Sequence, residues 1–457
     1  MKLVKINNQI FREYDIRGIY GTDLDIDVAY TIGRAFGSYI QEVNNNKTVL
    51  VGMDARESSP VLSNGLIKGL LESGADVINL GLVTTPMYYY AKKKNKITSG
   101  LMVTASHNPR EYNGFKISFR LIGNACGKEI TDFRDYVNKG KFIDGHGTIQ
   151  TMNIKSDYLE AIKKGIDLGP RKIKVVYDCG NGTGSIIVKD ILDMFNIEYD
   201  LLYCDSIPSF PNHHPDPSVP ANMVDLGKRV KELGYDLGIG IDGDADRVGL
   251  VDCDGNVIGA DLIMLIVLRY LEPHLKKREA IYDVKCSKTL IDEIEKLGLK
   301  GNMSRTGASW MNIYVNEGDY DFGGEFAGHL FFRDKWMGFD DGIYAGLRLC
   351  EILSHMDIKS NQLLDNTSKY FSTEELKVHA DDDIKFDIVE KVKMYCETKN
   401  YKMATVDGVR VTFDDGWALV RCSNTGPNLT IRFEAETEER LKEIQKEFTD
   451  LINGYLS

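Results

Sequence analysis

No two of the eight cysteines stand at C-x-x-C spacing, and none falls at the separations of a zinc finger. Thiols scattered from Cys126 to Cys422 belong in a reducing cytosol, so the expected location is cytoplasmic. A long hydrophobic run is also missing. The strongest, LIMLIVLRYL (262–271), is about half a membrane span and carries Arg269, so it reads as a buried helix and no membrane partner is expected. The N-terminal MKLVKINNQIFREYDIRG turns polar after a few residues and lacks the apolar centre of a signal peptide. Positive charge is in short supply: 56 Lys and Arg face 68 Asp and Glu, for a net charge of −12. A nucleic-acid backbone is repelled on average by such a chain, and an anionic small substrate needs basic residues gathered locally in a cleft. No segment is of low complexity.

What is present is enough for several cores. A chain of 457 residues implies three or four domains, and 43% apolar with 27% charged residues is ordinary for a globular protein. Short Val/Ile-rich strands are followed by polar or glycine-rich loops and then by amphipathic helices: TVLVGMD (48–54), GLMVTAS (100–106), KIKVVYD (172–178), DLGIGID (236–242) and AIYDVK (280–285). Val28, Ile32, Ala35, Phe36, Tyr39 and Ile40 have helical spacing, with Asp25 or Asp27 available as a cap. The alternation predicts α/β layers. Residues 408–436 instead alternate like antiparallel strands, and a helix carrying Leu441, Ile444, Phe448 and Leu451 follows, which reads as a small α+β domain. Seams near 150, 255 and 368 divide the chain into 1–150, 151–255, 256–368 and 369–457. Several predicted strands end in reactive residues (Ser106, Asp178, Asp242, Lys285), and ligands of open α/β sheets bind outside the carboxyl ends of strands.

The chemistry is concentrated in a few stretches. In TASHNPREYNGFK (104–116), Ser106 is a nucleophile, a phosphate carrier or a turn residue. DGDADR (242–247) sets Asp242, Asp244 and Asp246 two apart. Three carboxylates this close repel one another unless a cation sits among them, and all-oxygen ligation favours Mg²⁺ or Mn²⁺ over zinc; the other reading is a solvated acidic turn. An EF-hand is excluded, because Arg247 and Cys253 stand where it needs glycine and glutamate. DCGNGTGS (178–185) has Ser185 in place of the third glycine of a dinucleotide loop and reads as a tight turn. RCSNTGPNLTIRFE (421–434) collects Arg421, Ser423, Asn424, Thr425 and Arg432, a set suited to a phosphate, or else an ordinary hairpin turn. GGEFAGH (323–329) offers Glu325 and His329, and FREYDIRG (11–18) offers Arg12, Tyr14 and Arg17.

These stretches, with FPNHHPDPSVPANMVDL (210–226), VKCSK (284–288) and RTGAS (305–309), resemble the α-D-phosphohexomutases, and within them the phosphomannomutase/phosphoglucomutase branch, in order along nearly the whole chain. The resemblance implies four domains around a central cleft: three similar α/β domains with mixed sheets and a smaller C-terminal α+β domain. They would carry, in order, a phosphoserine loop, a metal loop, a sugar-recognition loop and a phosphate-binding loop. It implies that Ser106 carries a phosphoryl group and, with Asp242, Asp244 and Asp246, binds Mg²⁺. His107, Lys116, Arg247 and His329 would serve the transfer, with the base among His107, Lys116 and His329 left open. Tyr14, Arg17, Lys285, Glu325, Arg421, Ser423, Asn424, Thr425 and Arg432 would bind substrate. The implied reaction interconverts hexose 1-phosphate and hexose 6-phosphate, of mannose or glucose, through glucose or mannose 1,6-bisphosphate. A phosphoglucosamine mutase and a metal-dependent sugar phosphatase are the alternatives. The family usually has histidine, lysine and serine where this chain has Ala308, Asn312 and Ala327, which bears on sugar specificity.

Overall fold

The computed structural model describes residues 1–423 and 426–456. Among these the chain forms four sheets, the first three mixed and flanked by helices. Asp25 caps the first long helix, Ile26–Glu42, by accepting the Val28 N–H at 2.8 Å, and Ile32, Ala35, Phe36 and Ile40 of its predicted apolar stripe are buried while Val28 and Tyr39 are partly exposed. The apolar run at 262–271 lies in the helix Ala260–Leu271, where Ile263 to Leu268 and Leu271 are buried.

Three sheets share a local plan that positions everything below. In each, a strand lies parallel to one neighbour, ends in a loop, and returns as an antiparallel strand on its other side. Ser99–Val103 is parallel to Thr48–Met53 and returns as Tyr112–Ser118, with Val103 opposite Phe115. Leu237–Ile241 is parallel to Lys174–Asp178 and returns as Val248–Val251, with Ile241 opposite Val248. Phe322–Gly324 is parallel to Glu279–Asp283 and returns as Leu330–Phe332, with Gly324 opposite Leu330. The loops so formed hold Ser106, the three aspartates and Glu325. Three motifs with no shared sequence are therefore the same loop of three related sheets, each at a strand's carboxyl end.

The helix Gly342–Ser354 is buried along its whole length, because it lies in one continuous core joining the second and third sheets. Its first turn sits directly behind the aspartate loop. Gly342 N–H donates to Ala245 O at 3.0 Å, and a β-carbon at Gly342 would come within 2.2 Å of Arg247 O, so only glycine fits. Asp341 caps this helix through the Tyr344 N–H at 2.9 Å.

The C-terminal sheet is antiparallel, with Val409–Phe413, Gly416–Cys422 and Asn428–Ala435 adjacent, and the helices Lys385–Thr398 and Glu438–Leu456 cover it. It docks on the loop 284–288 through buried polar groups. Arg410 donates to Cys286 O at 2.7 Å while lying 3.8 Å from the Trp417 ring centroid. Glu434 accepts from Ser287 Oγ at 2.5 Å, from Lys288 N at 3.0 Å and from Trp417 Nε1. No helix among the described residues is long and apolar enough to cross a membrane.

Candidate active site

Ser106 sits at φ +50°, a left-handed conformation that costs a non-glycine residue about 1 kcal/mol or more and must be held by its surroundings. Arg56 does much of the holding. Its guanidinium, 2% exposed, donates to four carbonyls of the loop: Ser106 O at 2.7 Å, Asn108 O at 2.6 Å, Pro109 O at 2.8 Å and Tyr112 O at 3.1 Å. On its other side the loop packs on the aspartate loop, where a β-carbon at Gly243 would meet Ser106 O at 2.5 Å. The Ser106 hydroxyl then donates to Asp242 Oδ2 at 2.7 Å and lies 3.2 Å from His107 Nδ1.

Asp242, Asp244 and Asp246 are fully buried, and one oxygen from each lies within 4.8 Å of the others. Asp242 Oδ1 accepts the backbone N–H groups of Asp246 and Arg247, at 3.0 and 3.1 Å. Asp244 Oδ2 accepts from Thr85 Oγ1 at 2.6 Å, Thr104 Oγ1 at 3.0 Å and Lys116 Nζ at 2.8 Å. Lys116 also reaches Asp246 Oδ2 at 2.5 Å. One ammonium thus pairs with two of the three clustered carboxylates. Burial and then the charges of Asp246 and Asp244 push the Asp242 carboxyl well above its usual range. Burial opposes ionisation of Asp244 too, but Lys116 and the two threonines hold it low. Among the described residues, Asp244 Oδ1 and Asp246 Oδ1 are buried without a hydrogen-bond partner. Two orphaned anionic oxygens beside a third carboxylate and a serine hydroxyl fit a divalent cation bound entirely by oxygen.

Arg247 and His329 form the next layer. Arg247 Nε, which can only donate, lies 3.0 Å from His329 Nε2. In a neutral ring this puts the imidazole proton on Nδ1, 2.8 Å from Asp340 Oδ2. His107 is held neutral by burial and by Arg247, whereas Lys116 stays an ammonium because its two carboxylate partners outweigh its burial.

Glu325 is 1% exposed and accepts the Gly307 N–H at 2.5 Å; burial raises its carboxyl to about 7. Gly307 has φ +132° and is pressed against the Tyr14 ring, so the loop 305–308 needs glycine there. Toward the C-terminal sheet, Arg421 donates to Asp407 at 2.9 Å and Arg432 to Lys285 O, while Arg421 Nη2 and Arg432 Nε are buried with no partner among the described residues. Lys285 Nζ pairs with Glu375 Oε2 at 3.0 Å.

Tyr14, Arg17, Ser106, His107, Lys116, Arg247, Lys285, Glu325, His329, Arg421, Ser423 and Arg432 all line one cleft of about 1310 Å³. The aspartates lie beneath Ser106 in its wall. Asn424 and Thr425 fall outside the described residues. Ala308 and Ala327 line the cleft, but Asn312 does not: it packs beside Gly123 at the start of the chain's third domain interface with the first. Sequence reasoning passed over Arg56, Thr85, Thr104, Asp340 and Glu375. None of the five carries a local signal: Arg56 stands two residues past TVLVGMD, but nothing near it in the chain shows which loop it holds.

A buried serine beside a carboxylate cluster, in a cleft lined by Arg421 and Arg432, suits an enzyme of the phosphoryl-transferring class. The particular family follows from comparison with known proteins. Residues 8–139, 156–255, 259–370 and 371–451 match, in turn, the phosphoglucomutase/phosphomannomutase alpha/beta/alpha domains I, II and III and the C-terminal domain. A phosphomannomutase/phosphoglucomutase of Pseudomonas syringae pv. tomato is 41% identical over 441 residues, covering 96% of this chain and 94% of that one. A phosphoglucomutase of Neisseria gonorrhoeae is 37% identical over 458 residues, covering 99% and 98%. The crystal structure of a phosphoglucomutase/phosphomannomutase family protein from Burkholderia thailandensis superposes with a TM-score of 0.90 at 34% identity, covering 99% of this chain and 98% of that one. The chain belongs to the phosphoglucomutase/phosphomannomutase family.

Proposed function

We propose that this enzyme interconverts hexose 1-phosphates and hexose 6-phosphates of mannose and glucose, with Ser106 as the phosphoryl carrier, Mg²⁺ as the cation of the aspartate cage, and glucose or mannose 1,6-bisphosphate as the intermediate. One observation carries the reading: the Ser106 hydroxyl stands 2.7 Å from Asp242 in a cage of carboxylates, on the same cleft as Arg421 and Arg432. The names of the relatives support the choice of sugars.

The positions 1 and 6 of a hexose are too far apart for direct transfer, so the enzyme lends a phosphoryl group. The free sugar hydroxyl attacks the phosphorus of phospho-Ser106; the new P–O bond forms as the P–Oγ bond breaks. The bisphosphate turns within the cleft, and Ser106 Oγ takes back the other phosphoryl group. When bound, the cation offsets charge on the phosphoryl oxygens and stabilises the departing serine oxygen. Lys116, fixed as an ammonium, and Arg247 place positive charge beside the transferred group. His107, 3.2 Å from Oγ, orients the serine. His329, its Nε2 accepting from Arg247 Nε and its Nδ1 beside Asp340, holds that guanidinium toward the transferred group. Glu325 accepts hydrogen bonds from sugar hydroxyls, and Arg421 and Arg432, together with Ser423, Asn424 and Thr425, anchor whichever phosphate is not reacting. Tyr14, Arg17 and Lys285 complete the walls around the sugar.

Ser106→Ala tests the core of this. Its turnover of glucose 1-phosphate and mannose 1-phosphate should vanish with the melting temperature retained; turnover at the wild-type level would remove Ser106 from its role. A parallel assay with glucosamine 1-phosphate decides the sugar class, and a preference for it would replace the hexose assignment.

A further inference from the structure

We infer that Lys385 is a positioning residue of the phosphate-anchoring loop, holding its backbone from behind the cleft. This rests on the reading of 421–432 as an anion site. The loop joins the strands Gly416–Cys422 and Asn428–Ala435, and Lys385 opens the helix Lys385–Thr398 that packs against it. Its ammonium donates to Ser423 O at 3.0 Å and to Gly426 O at 3.2 Å, one carbonyl at each end of the loop, and pairs with Asp382 Oδ1 at 2.6 Å. Arg421, Ser423 and Arg432 line the cleft, while Lys385 does not.

Packing alone does not call for a lysine here. The residue is 6% exposed, so it gives up most of its side-chain freedom and hydration. It also puts a positive charge at the first position of a helix, the end where the macrodipole disfavours a cation. A methionine of similar length would fill the same space without either cost. What the ammonium supplies is a fixed partner for two carbonyl oxygens. Left unheld, those oxygens are free to swing toward the cleft and present partial negative charge to an incoming phosphate. Held, they stay on Lys385, which does not line the cleft.

The test is steady-state kinetics of the full enzyme with glucose 1-phosphate and with mannose 1-phosphate, on Lys385→Met, Lys385→Arg and Arg421→Ala. Loss of a charge-assisted pair of hydrogen bonds should raise KM about tenfold in Lys385→Met, with kcat within about threefold of wild type. Inorganic phosphate should weaken as a competitive inhibitor by a similar factor. Lys385→Arg, which keeps the charge and the donors, should recover most of the loss. An unchanged KM, a fall in kcat at constant KM, or a Lys385→Arg enzyme no better than Lys385→Met overturns the assignment. If Lys385→Met does not fold, Lys385→Gln carries the same comparison. Arg421→Ala separates the two levels: should it leave KM unchanged, the anion-site reading fails; should it raise KM while Lys385→Met does not, only the role of Lys385 fails.

Discussion

Lys92 is a lysine placed where a cation is expensive, and replacing it with methionine should stabilise the enzyme in a pH-dependent way. It lies in the last turn of the helix Thr85–Lys94, 2% exposed, and among the described residues its ammonium has a single hydrogen-bond partner, Gly123 O at 3.3 Å. Burial, reinforced by the nearby Arg120, lowers its pKa from 10.5 to about 7. The unfolded chain therefore binds a proton between pH 7 and 10.5 that the folded chain does not, so the destabilisation is complete below pH 7 and fades as pH rises toward 10.5. At about 1.4 kcal/mol per pH unit the full effect is roughly 5 kcal/mol. Methionine keeps the aliphatic stem and forfeits about 1 kcal/mol at the Gly123 carbonyl. Lys92→Met should then melt higher than wild type by on the order of 5 °C at pH 6, with the gap closing by pH 9.5 to 10. Thermal melts followed by circular dichroism at pH 6, 8 and 9.5 measure it. A gap that is the same at all three, or one that widens with pH, refutes the reasoning.

Asp242→Asn removes one of three mutually repelling carboxylates. In a chelator its melting temperature should exceed that of wild type, while Mg²⁺ should raise it less and calorimetric Mg²⁺ affinity should fall at least tenfold; equal affinity would exclude Asp242 as a ligand. Arg56→Lys keeps the charge but loses most of the four carbonyl contacts, so kcat should drop about a hundredfold with little change in KM, and an unaffected kcat would show that the serine loop holds itself. Glu434→Ala strands three buried donors from Ser287, Lys288 and Trp417. It should cost roughly 3 kcal/mol in urea unfolding and make the C-terminal domain the first to unfold, as read by limited proteolysis.

Much of the site was legible because its chemistry is local in the chain. Spacing marked Asp242, Asp244 and Asp246 as a cation site or an acidic turn, Ser106 stood at a strand's end, and Arg421 with Arg432 stood on adjoining strands; the resemblance to a family chose among the readings. Alternation predicted the antiparallel C-terminal strands, and helical spacing after Asp25 or Asp27 predicted the first long helix, whose cap is Asp25. Other residues left no such trace. Arg56 acts on a loop some fifty positions away and looks in the sequence like any surface arginine. Asp340 matters only because it lies beside His329, and Lys385 only because it sits beneath Ser423 and Gly426.

By itself, then, the order of amino acids determined which side chains carry charge, which segments alternate, and which reactive groups stand at the ends of strands, since each of these depends on neighbours within a few residues. Only the tertiary structure decided that the serine, aspartate and glutamate loops are one loop repeated on three sheets, and that Ser106 meets a carboxylate 136 positions away. The reason is physical. Register and docking are settled by the packing of buried apolar faces contributed from far along the chain, and no local pattern encodes which faces will meet.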